Sequence, residues 1–575
     1  MQVERVALVD GYVDEPTCLG VPPYVSIYPR YISGSIWTKS PQTEILYNTI
    51  DQVRESFRRA QQLWTKTDLI ILIAGMIVPG KYVGGTPISV REAKELFSVP
   101  ELEDIPKVLV GPWARFGCGL QGGKLALSSE VLTPPFDHII RGDPELVIAE
   151  ALESGNDFES IDLDLTRKGV EEIEDFVKRG VSIVNQHPGF SNRHIICEIE
   201  SYRGCPRFLT GGCSFCVEPS YGPPQQRTPD AIAGEIQVLY EQGIRAFRIG
   251  HQADLFTYGS KEMSEVEFPT PNPDAIEELF SKIRNSAPDL DVLHIDNVNP
   301  GTVARHPQES RQVAKSIMKY HTPGDVAAFG VESTDPEVIR RNNLKANVDE
   351  VIEAVRILNE VGGTREPWGL PHLLPGINLL YGLPGESKKT LDYNMDFLKQ
   401  ILEEGLIVRR INVRQVIGLP GTGMKQDSGK RIKRNQFFKH REEIRDTIDI
   451  EMIQRVAPLG TVIKSVFVDG MTGNSYLLRP LGTYPLLCHM PAGTDEGAPR
   501  DVFVVDHGPR SLTVLPYPFY VRQASLTQWK SLPGIGAKRA ARTKTAGSIE
   551  NIDQLQIALD MELPDWLQQS LSFEQ

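Results

Sequence analysis

Three thiols stand within twelve residues, in the run Cys205-Pro-Arg-Phe-Leu-Thr-Gly-Gly-Cys213-Ser-Phe-Cys216. The chain of 575 residues has only seven cysteines, so this density marks a site rather than background. Three thiolates fall one short of the four nitrogen or sulfur donors of a closed structural zinc site, and no histidine lies nearby in sequence. They do match a [4Fe–4S] cluster with one iron left open to a small ligand. Two other readings stay open on the local motif: a zinc knuckle with a distant fourth ligand, and buried free cysteines. The apolar run Ile195-Ile-Cys-Glu-Ile199 just upstream reads as a strand. The thiols then sit on the loop beyond a strand end, the rim where α/β barrels carry their chemistry.

Two further stretches carry groups suited to anions. Residues 425–441 hold seven Lys or Arg against one Asp, with Phe437 and Phe438 interleaved. Basic and aromatic side chains together suit phosphate contact and base stacking, and equally a solvated helix that packs two Phe inward. Near the C-terminus, Leu532-Pro-Gly-Ile-Gly536 is followed by Ala537-Lys-Arg-Ala540. Gly534 and Gly536 free a tight turn, after which a helix start offers unblocked N–H groups to a phosphate. Lys538, Arg539 and Arg542 add positive charge without sequence reading. A hairpin used only for protein contacts is the alternative.

The elements that position these groups fall into five segments. Residues 1–155 alternate apolar runs (Arg5–Val9, Asp68–Ala74, Lys107–Gly111, and a short one at His138) with helical stretches, which predicts an open doubly wound, Rossmann-like sheet. The segment Pro22–Arg30 reads as a rigid proline-bearing loop, and Cys18 and Cys118 as lone core thiols. Residues 156–194 read as an acidic helical connector with a solvated charged face. From 195 to 454 strand and helix alternate, with strands expected at 195–201, 246–250, 292–296, 326–331, 377–381 and 411–415: a partial (β/α)6 barrel. Residues 455–525 change to short strands with Gly, Pro and Asn turns, a small β barrel or sandwich. Residues 526–575 hold the hairpin.

Composition bounds the rest. A hydrophobic fraction of 40% and a charged fraction of 24% are those of ordinary globular chains. The net charge of −14 argues against a nucleic-acid footprint over the whole surface, while leaving room for a local basic patch. The start of the chain goes directly into a strand pattern, so no signal peptide is expected, and no apolar run is long enough to span a bilayer. Few, unevenly spaced cysteines suit a reducing cytoplasm.

With its cysteine run, Phe215 before the last thiol and Gly382-Leu-Pro-Gly-Glu-Ser387, the chain resembles the radical S-adenosylmethionine (SAM) superfamily. The usual first gap between cysteines there is three residues; here it is seven. The resemblance implies that Cys205, Cys213 and Cys216 ligate a [4Fe–4S] cluster whose fourth iron takes SAM. It further implies that SAM is held by Gly250, His251 and Gln252 after the second strand, by Glu332 and Ser333 after the fourth, and by Gly382, Leu383 and Pro384 after the fifth. An alternative for Glu332 is an ion pair with Arg340 or Arg341. Residues 1–155 resemble the cobalamin-binding-type domain of many such enzymes, but the cobalt-ligating Asp-x-His-x-x-Gly motif is absent. Cobalamin would therefore bind without a histidine ligand or have been lost. The turn at 416–423 resembles that of RNA methylthiotransferases, the β segment resembles the TRAM module and the C-terminal segment resembles a helix-hairpin-helix. These likenesses imply a nucleotide in RNA, foremost tRNA, as substrate, with an electron donor such as ferredoxin or flavodoxin. Methylthiolation needs three N-terminal cysteines and only Cys18 and Cys118 are present. The competing readings are a cobalamin-type methyltransferase of a small molecule and a non-catalytic nucleic-acid-binding metalloprotein.

Overall fold

The computed structural model describes residues 3–14, 19–75, 85–119, 122–424, 432–492 and 500–574. Its first sheet has five parallel strands in the spatial order Glu44–Thr49, Arg5–Asp10, Leu69–Ile73, Lys107–Val110, His138–Ile139. In chain order this is 2-1-3-4-5, the order of doubly wound sheets that place a crevice beyond their strand ends. Leu69–Ile73 is buried at every position, as its unbroken apolar run demands. Glu44–Thr49 escapes the sequence reading because, as an edge strand, it alternates buried and accessible positions over only six residues.

Six parallel strands follow as expected: Ile196–Glu200, Ala246–Gly250, Val292–Ile295 continued by Asn297–Val298, Asp325–Glu332, Leu373–Tyr381 and Arg410–Gln415. The third is interrupted at Asp296. Its first half pairs with the second strand and its second half with the fourth. The intervening helices begin with strong caps. Thr228 accepts from the Ala231 N–H ahead of Pro229, and Asn347 forms a reciprocal box with Glu350.

Two expectations are corrected. Residues 22–30 are not a plain loop. Tyr24–Val25 adds a parallel edge strand to Ile196–Glu200, and the helix Ile27–Lys39 starts directly after it. Arg30 is buried there, hydrogen-bonded to the Ser26 carbonyl at 3.0 Å and ion-paired with Glu235 at 3.0 Å. Nor is 156–194 merely a solvated connector: Phe176, Val177, Val181, Ile183 and Val184 are buried. Its helix Glu174–Arg179 lies against Ile27–Lys39 at glycine distance. A Cβ on Gly34 would fall 1.8 Å from the Phe176 carbonyl oxygen, and one on Gly180 would fall 1.7 Å from that of Arg30. Short tight turns and sparse apolar residues hid this packing from the periodicity.

The strands Val462–Thr472, Ser475–Pro480, Leu487–Pro491, Arg500–His507 and Ser511–Pro516 form a closed barrel, and Leu487–Pro491 is one that the sequence reading did not single out. The C-terminal helices Leu526–Lys530, Ala537–Thr545 and Ile552–Leu559 close over a core of Trp529, Leu532, Ile535 and Leu555 against Phe503 and Phe519. Cys118, Cys197 and Cys488 are buried; Cys18 and residues 425–431 of the basic stretch lie outside the described residues. No helix among the described residues is long and apolar enough to cross a membrane.

Candidate active site

The long first gap between the cysteines is filled by one tight helical turn, Pro206–Thr210, closed by Gly211 and Gly212, both left-handed at φ 79° and 65°. Gly212 is required twice over, since a Cβ there would lie 2.2 Å from the Pro219 ring. The extra turn delivers Arg207. Its buried guanidinium donates to the Cys213 sulfur at 3.0 Å, to Glu267 at 2.7 Å and to the Asn343 carbonyl at 2.7 Å.

Cys205, Cys213 and Cys216 line one cavity of about 220 Å³ at the upper rim of the barrel, together with Glu332, Lys345 and Arg414. Burial pushes the Cys205 thiol up to about 12 and raises Cys213 as well, against the pull of Arg207 and Lys345. Burial also opposes charge on Lys345, but Cys213, Glu332 and the other two thiols outweigh it and hold its pKa above the usual lysine value. Three thiols flanked by two cations are a donor set suited to an anionic iron–sulfur group. Among the described residues, no three His, Cys, Asp or Glu side chains gather as ligands for a single metal ion.

Glu332 sits at φ +66° beside a bulge in the fourth strand, with its carboxyl in the cavity and pushed up to about 7 by burial against the lowering pull of Lys345 and Arg414. Arg340 and Arg341, its alternative partners, are taken by Glu337 at 2.9 and 2.6 Å. Gly330 keeps the wall low: a Cβ there would meet the Lys345 ammonium at 2.6 Å and the Glu332 carboxylate at 2.7 Å.

The other expected SAM contacts lie beside the cavity rather than in it. Gly382 donates its N–H to Glu386 at 2.6 Å, Leu383 packs with Phe215 and Val416, and the Pro384 carbonyl accepts from Asn342 at 2.8 Å. Asn342 in turn accepts from the Ser214 hydroxyl at 2.6 Å and from its N–H at 3.1 Å, so this loop is tied to the cysteine loop. Ser333 caps the turn before the next helix, accepting from the Asp335 N–H. Gly250 fits because Glu198 approaches where its Cβ would be, and Gln252 is buried and donates to the Ile249 carbonyl at 3.2 Å. His251 points away, bonding Glu200 at 2.8 Å in the contact between the first sheet and the barrel.

Sequence reasoning missed Arg207, Lys345 and Arg414. Lys345 and Arg414 are isolated cations with no motif around them, and Arg207 stands inside the anomalous gap that was itself the signal. It also missed a second chamber of about 920 Å³, which shares Asn412, Arg414 and Tyr484 with the cysteine cavity. In the C-terminal hairpin Gly534 is left-handed at φ 78° and Gly536 precedes the helix. Arg539 spans the turn, donating to the Gly534 carbonyl at 2.9 Å and the Asp560 carbonyl at 3.1 Å; Arg542 reaches Asp560 at 3.5 Å, and Lys538 is exposed.

The family model that matches the chain agrees with this geometry. Residues 199–398 match the family model of the Radical SAM superfamily. An uncharacterized protein of Methanocaldococcus jannaschii is 45% identical over 519 residues, covering 89% of this chain and 93% of its own. Another, of Archaeoglobus fulgidus, is 39% identical over 561 residues, covering 96% and 97%. Among solved structures, the radical S-adenosylmethionine methyltransferase TsrM from Kitasatospora setae, with cobalamin and a [4Fe–4S] cluster bound, aligns over 73% of this chain and 74% of its own at 16% identity, with a TM-score of 0.44. Thiols, rim and family model converge: the chain belongs to the radical SAM superfamily, as an enzyme whose cofactors are a [4Fe–4S] cluster and SAM.

Proposed function

We propose that this enzyme cleaves SAM reductively in the cysteine cavity and modifies an anionic substrate that reaches it from the adjoining chamber. The observation that carries the reading is the shared wall: Asn412, Arg414 and Tyr484 border both spaces. When bound, the cluster and SAM together supply a 5′-deoxyadenosyl radical able to take hydrogen from an unactivated carbon. The chain's own residues hold and enclose. Cys205, Cys213 and Cys216 bind iron, while Arg207 and Lys345 offset the negative charge of the thiolates. Glu332 is placed to accept hydrogen bonds from hydroxyl or amine groups in the cavity. Residues 122–127 bond to the loop after the sixth strand, Gly123 N–H to the Val416 carbonyl at 2.6 Å and Ala126 N–H to that of Gly418 at 2.8 Å, and so tie the first domain to the barrel rim.

A second reading, in which the substrate nucleotide lies within RNA, is favoured by the exposed Lys538 beside the Gly534–Gly536 turn and the free start of the helix Ala537–Thr545. The two readings part in one assay series. Anaerobic reconstitution is expected to give about four irons per chain, lost in Cys213→Ala. A colourless protein, or one holding a single zinc, refutes both. With an electron donor of the ferredoxin or flavodoxin class, SAM cleavage is followed with and without cobalamin, which separates methyl transfer from hydrogen abstraction. A deletion strain with an unaltered tRNA nucleoside profile removes the RNA branch.

A further inference from the structure

The wall of the large chamber carries seven arginines and five carboxylates, and the arginines gather on one side of it. Along the sixth strand Arg410, Asn412 and Arg414 recur at the two-residue spacing that shares a strand face, and all three line the chamber. Arg441 and Arg445 enter from the helix Arg434–Ile444 and the turn after it, and Arg510 enters from the hairpin of the small barrel. Five guanidinium groups from three separate elements thus face one space. Of the acids on the same wall, Asp51 is paired with Arg54 and Asp469 with Arg479, while Asp449 lies 3.6 Å from Arg510; outside the wall, the half-exposed Glu442 is shared by Arg441 at 3.3 Å and Arg445 at 2.7 Å. The Arg410 guanidinium has no ion pair or hydrogen bond among the described residues; it stacks on Tyr484 with its carbon 3.4 Å from the ring centre. Arg414 likewise has no ion pair there.

Such an arrangement is costly for a fold left to itself. Burial first, against the pull of Tyr484 and with repulsion from Arg414 and Arg510, brings Arg410 down to about 9, and burial with Arg445, Arg414 and Arg441 lowers Arg510 against the pull of Asp449. The Nε–H groups of Arg441 and Arg445 are buried with no acceptor. A buried cation lacking its anion, and a buried donor lacking its acceptor, are penalties that a bound anion removes. Guanidinium forks match phosphate oxygens two at a time, which carboxamide or hydroxyl ligands do not. The volume is that of a site for one nucleotide-sized molecule.

We propose that this chamber is a phosphate site, and that the substrate is a small organic molecule carrying a diphosphate or two neighbouring phosphate groups, seated on Arg410, Arg441, Arg445 and Arg510. The substrate assignment rests on the radical SAM reading; the phosphate site does not. Its reacting carbon then lies toward Asn412 and Arg414, on the side of the thiols.

The test uses the full-length protein without iron or SAM, with inorganic pyrophosphate as probe in calorimetric titration and in thermal unfolding. Pyrophosphate is expected to bind and to raise the melting temperature. Arg410→Gln and Arg510→Gln should each weaken it about tenfold and the double variant about a hundredfold, as loss of charge-assisted bonds implies. Without ligand, Arg410→Gln should melt no lower than wild type, because it removes an unpaired buried charge; a merely structural arginine would lower it. No pyrophosphate binding, equal affinity in the double variant, or a destabilised unliganded Arg410→Gln overturns the site. A short RNA that displaces pyrophosphate as strongly as a nucleoside diphosphate does overturns the small-molecule assignment. Cys213→Ala should bind pyrophosphate normally, so failure of the cluster chemistry and failure of the phosphate site are distinguishable.

Discussion

Asp143→Asn tests whether a buried ionic network fixes the first sheet against the barrel. The Asp143 carboxylate is 6% accessible and accepts from Arg203 at 2.6 Å, Arg115 at 3.2 Å and the Arg167 N–H at 2.8 Å. The Arg167 side chain pairs with Glu200 on the first barrel strand, and Glu200 bonds His251 at 2.8 Å. Burial opposes the charge on both carboxylates, but the guanidinium groups of Arg203 and Arg167 outweigh it and hold both below the usual range. Removing one member of a buried pair costs about 3–5 kcal/mol. An amide retains the bond from the Arg167 N–H, and the Arg115 contact is partly solvated, so the lower end, about 3 kcal/mol or a hundredfold in the opening equilibrium, is expected at pH 7. A carboxylate with a depressed folded pKa stabilises above its unfolded value near pH 4 and loses that contribution as pH falls through the folded value. The gap between wild type and variant should therefore narrow as pH falls below about 4 and close only below the folded pKa of Asp143. Glu145 complicates the count: burial and the neighbouring Asp143 charge push it up to about 7. Once Asp143 is neutral, Glu145 ionises more readily and compensates in part, so Asp143→Asn with Glu145→Gln should lose more than either alone. The assay is urea unfolding joined to hydrogen exchange of residues 141–167 and 196–203. A loss below about 1 kcal/mol at pH 7, or a gap that persists undiminished at pH 3, refutes the reasoning.

Other outcomes follow from single contacts. Gly330→Ala drives a methyl group into Lys345 and Glu332 and should weaken SAM binding to the reconstituted protein by about 1–3 kcal/mol, roughly five- to 150-fold; unaltered affinity would separate Gly330 from the SAM pocket. Arg207→Lys keeps the charge but cannot serve Cys213, Glu267 and Asn343 together. Iron content should survive while the cluster's midpoint potential falls with the lost bond to sulfur, and an unchanged potential in spectroelectrochemical titration would deny the role. Arg539→Ala unlatches the hairpin from Asp560 and should cost about 1–3 kcal/mol locally, seen as earlier exposure of Trp529 fluorescence in urea. Lys538→Ala leaves that fold intact, so it and not Arg539→Ala is the variant for measuring RNA affinity; equal RNA binding by Lys538→Ala ends the case for the hairpin.

The six barrel strands were legible because each is a short apolar run ending in polar and glycine-rich loops, and the thiols because three sulfurs in twelve residues have few uses. Glu332 was legible from its place after a strand. What could not be read was distance across the fold. Lys345 reaches the thiols from a loop after the fourth strand, and His251, two residues from Ile249 in the second strand, turns toward Glu200 through a left-handed backbone at φ 52°. The edge strand Tyr24–Val25 has two residues and no pattern of its own; only pairing to Ile196 and Cys197 makes it a strand. The chamber arginines come from a strand, a helix and a hairpin separated by up to a hundred positions, and nothing local distinguishes them from surface charge.

Charge placement bears on what enters that chamber. The molecule as a whole carries −14, yet it concentrates guanidinium groups inward, at Arg207 beside the thiols and at Arg410 and Arg510 in the chamber. An approaching anion is therefore repelled at long range and attracted only after it has passed the acidic exterior. Repulsion grows with the charge of the visitor, and a polymer with one charge per phosphate meets far more of it than a molecule with two or three. Added salt screens the outer repulsion over a Debye length of about 10 Å at 0.1 M but screens buried pairs much less. For a small phosphorylated substrate, moderate salt should then speed association and leave the equilibrium little changed, whereas for RNA held by exposed lysines it should lower affinity steeply.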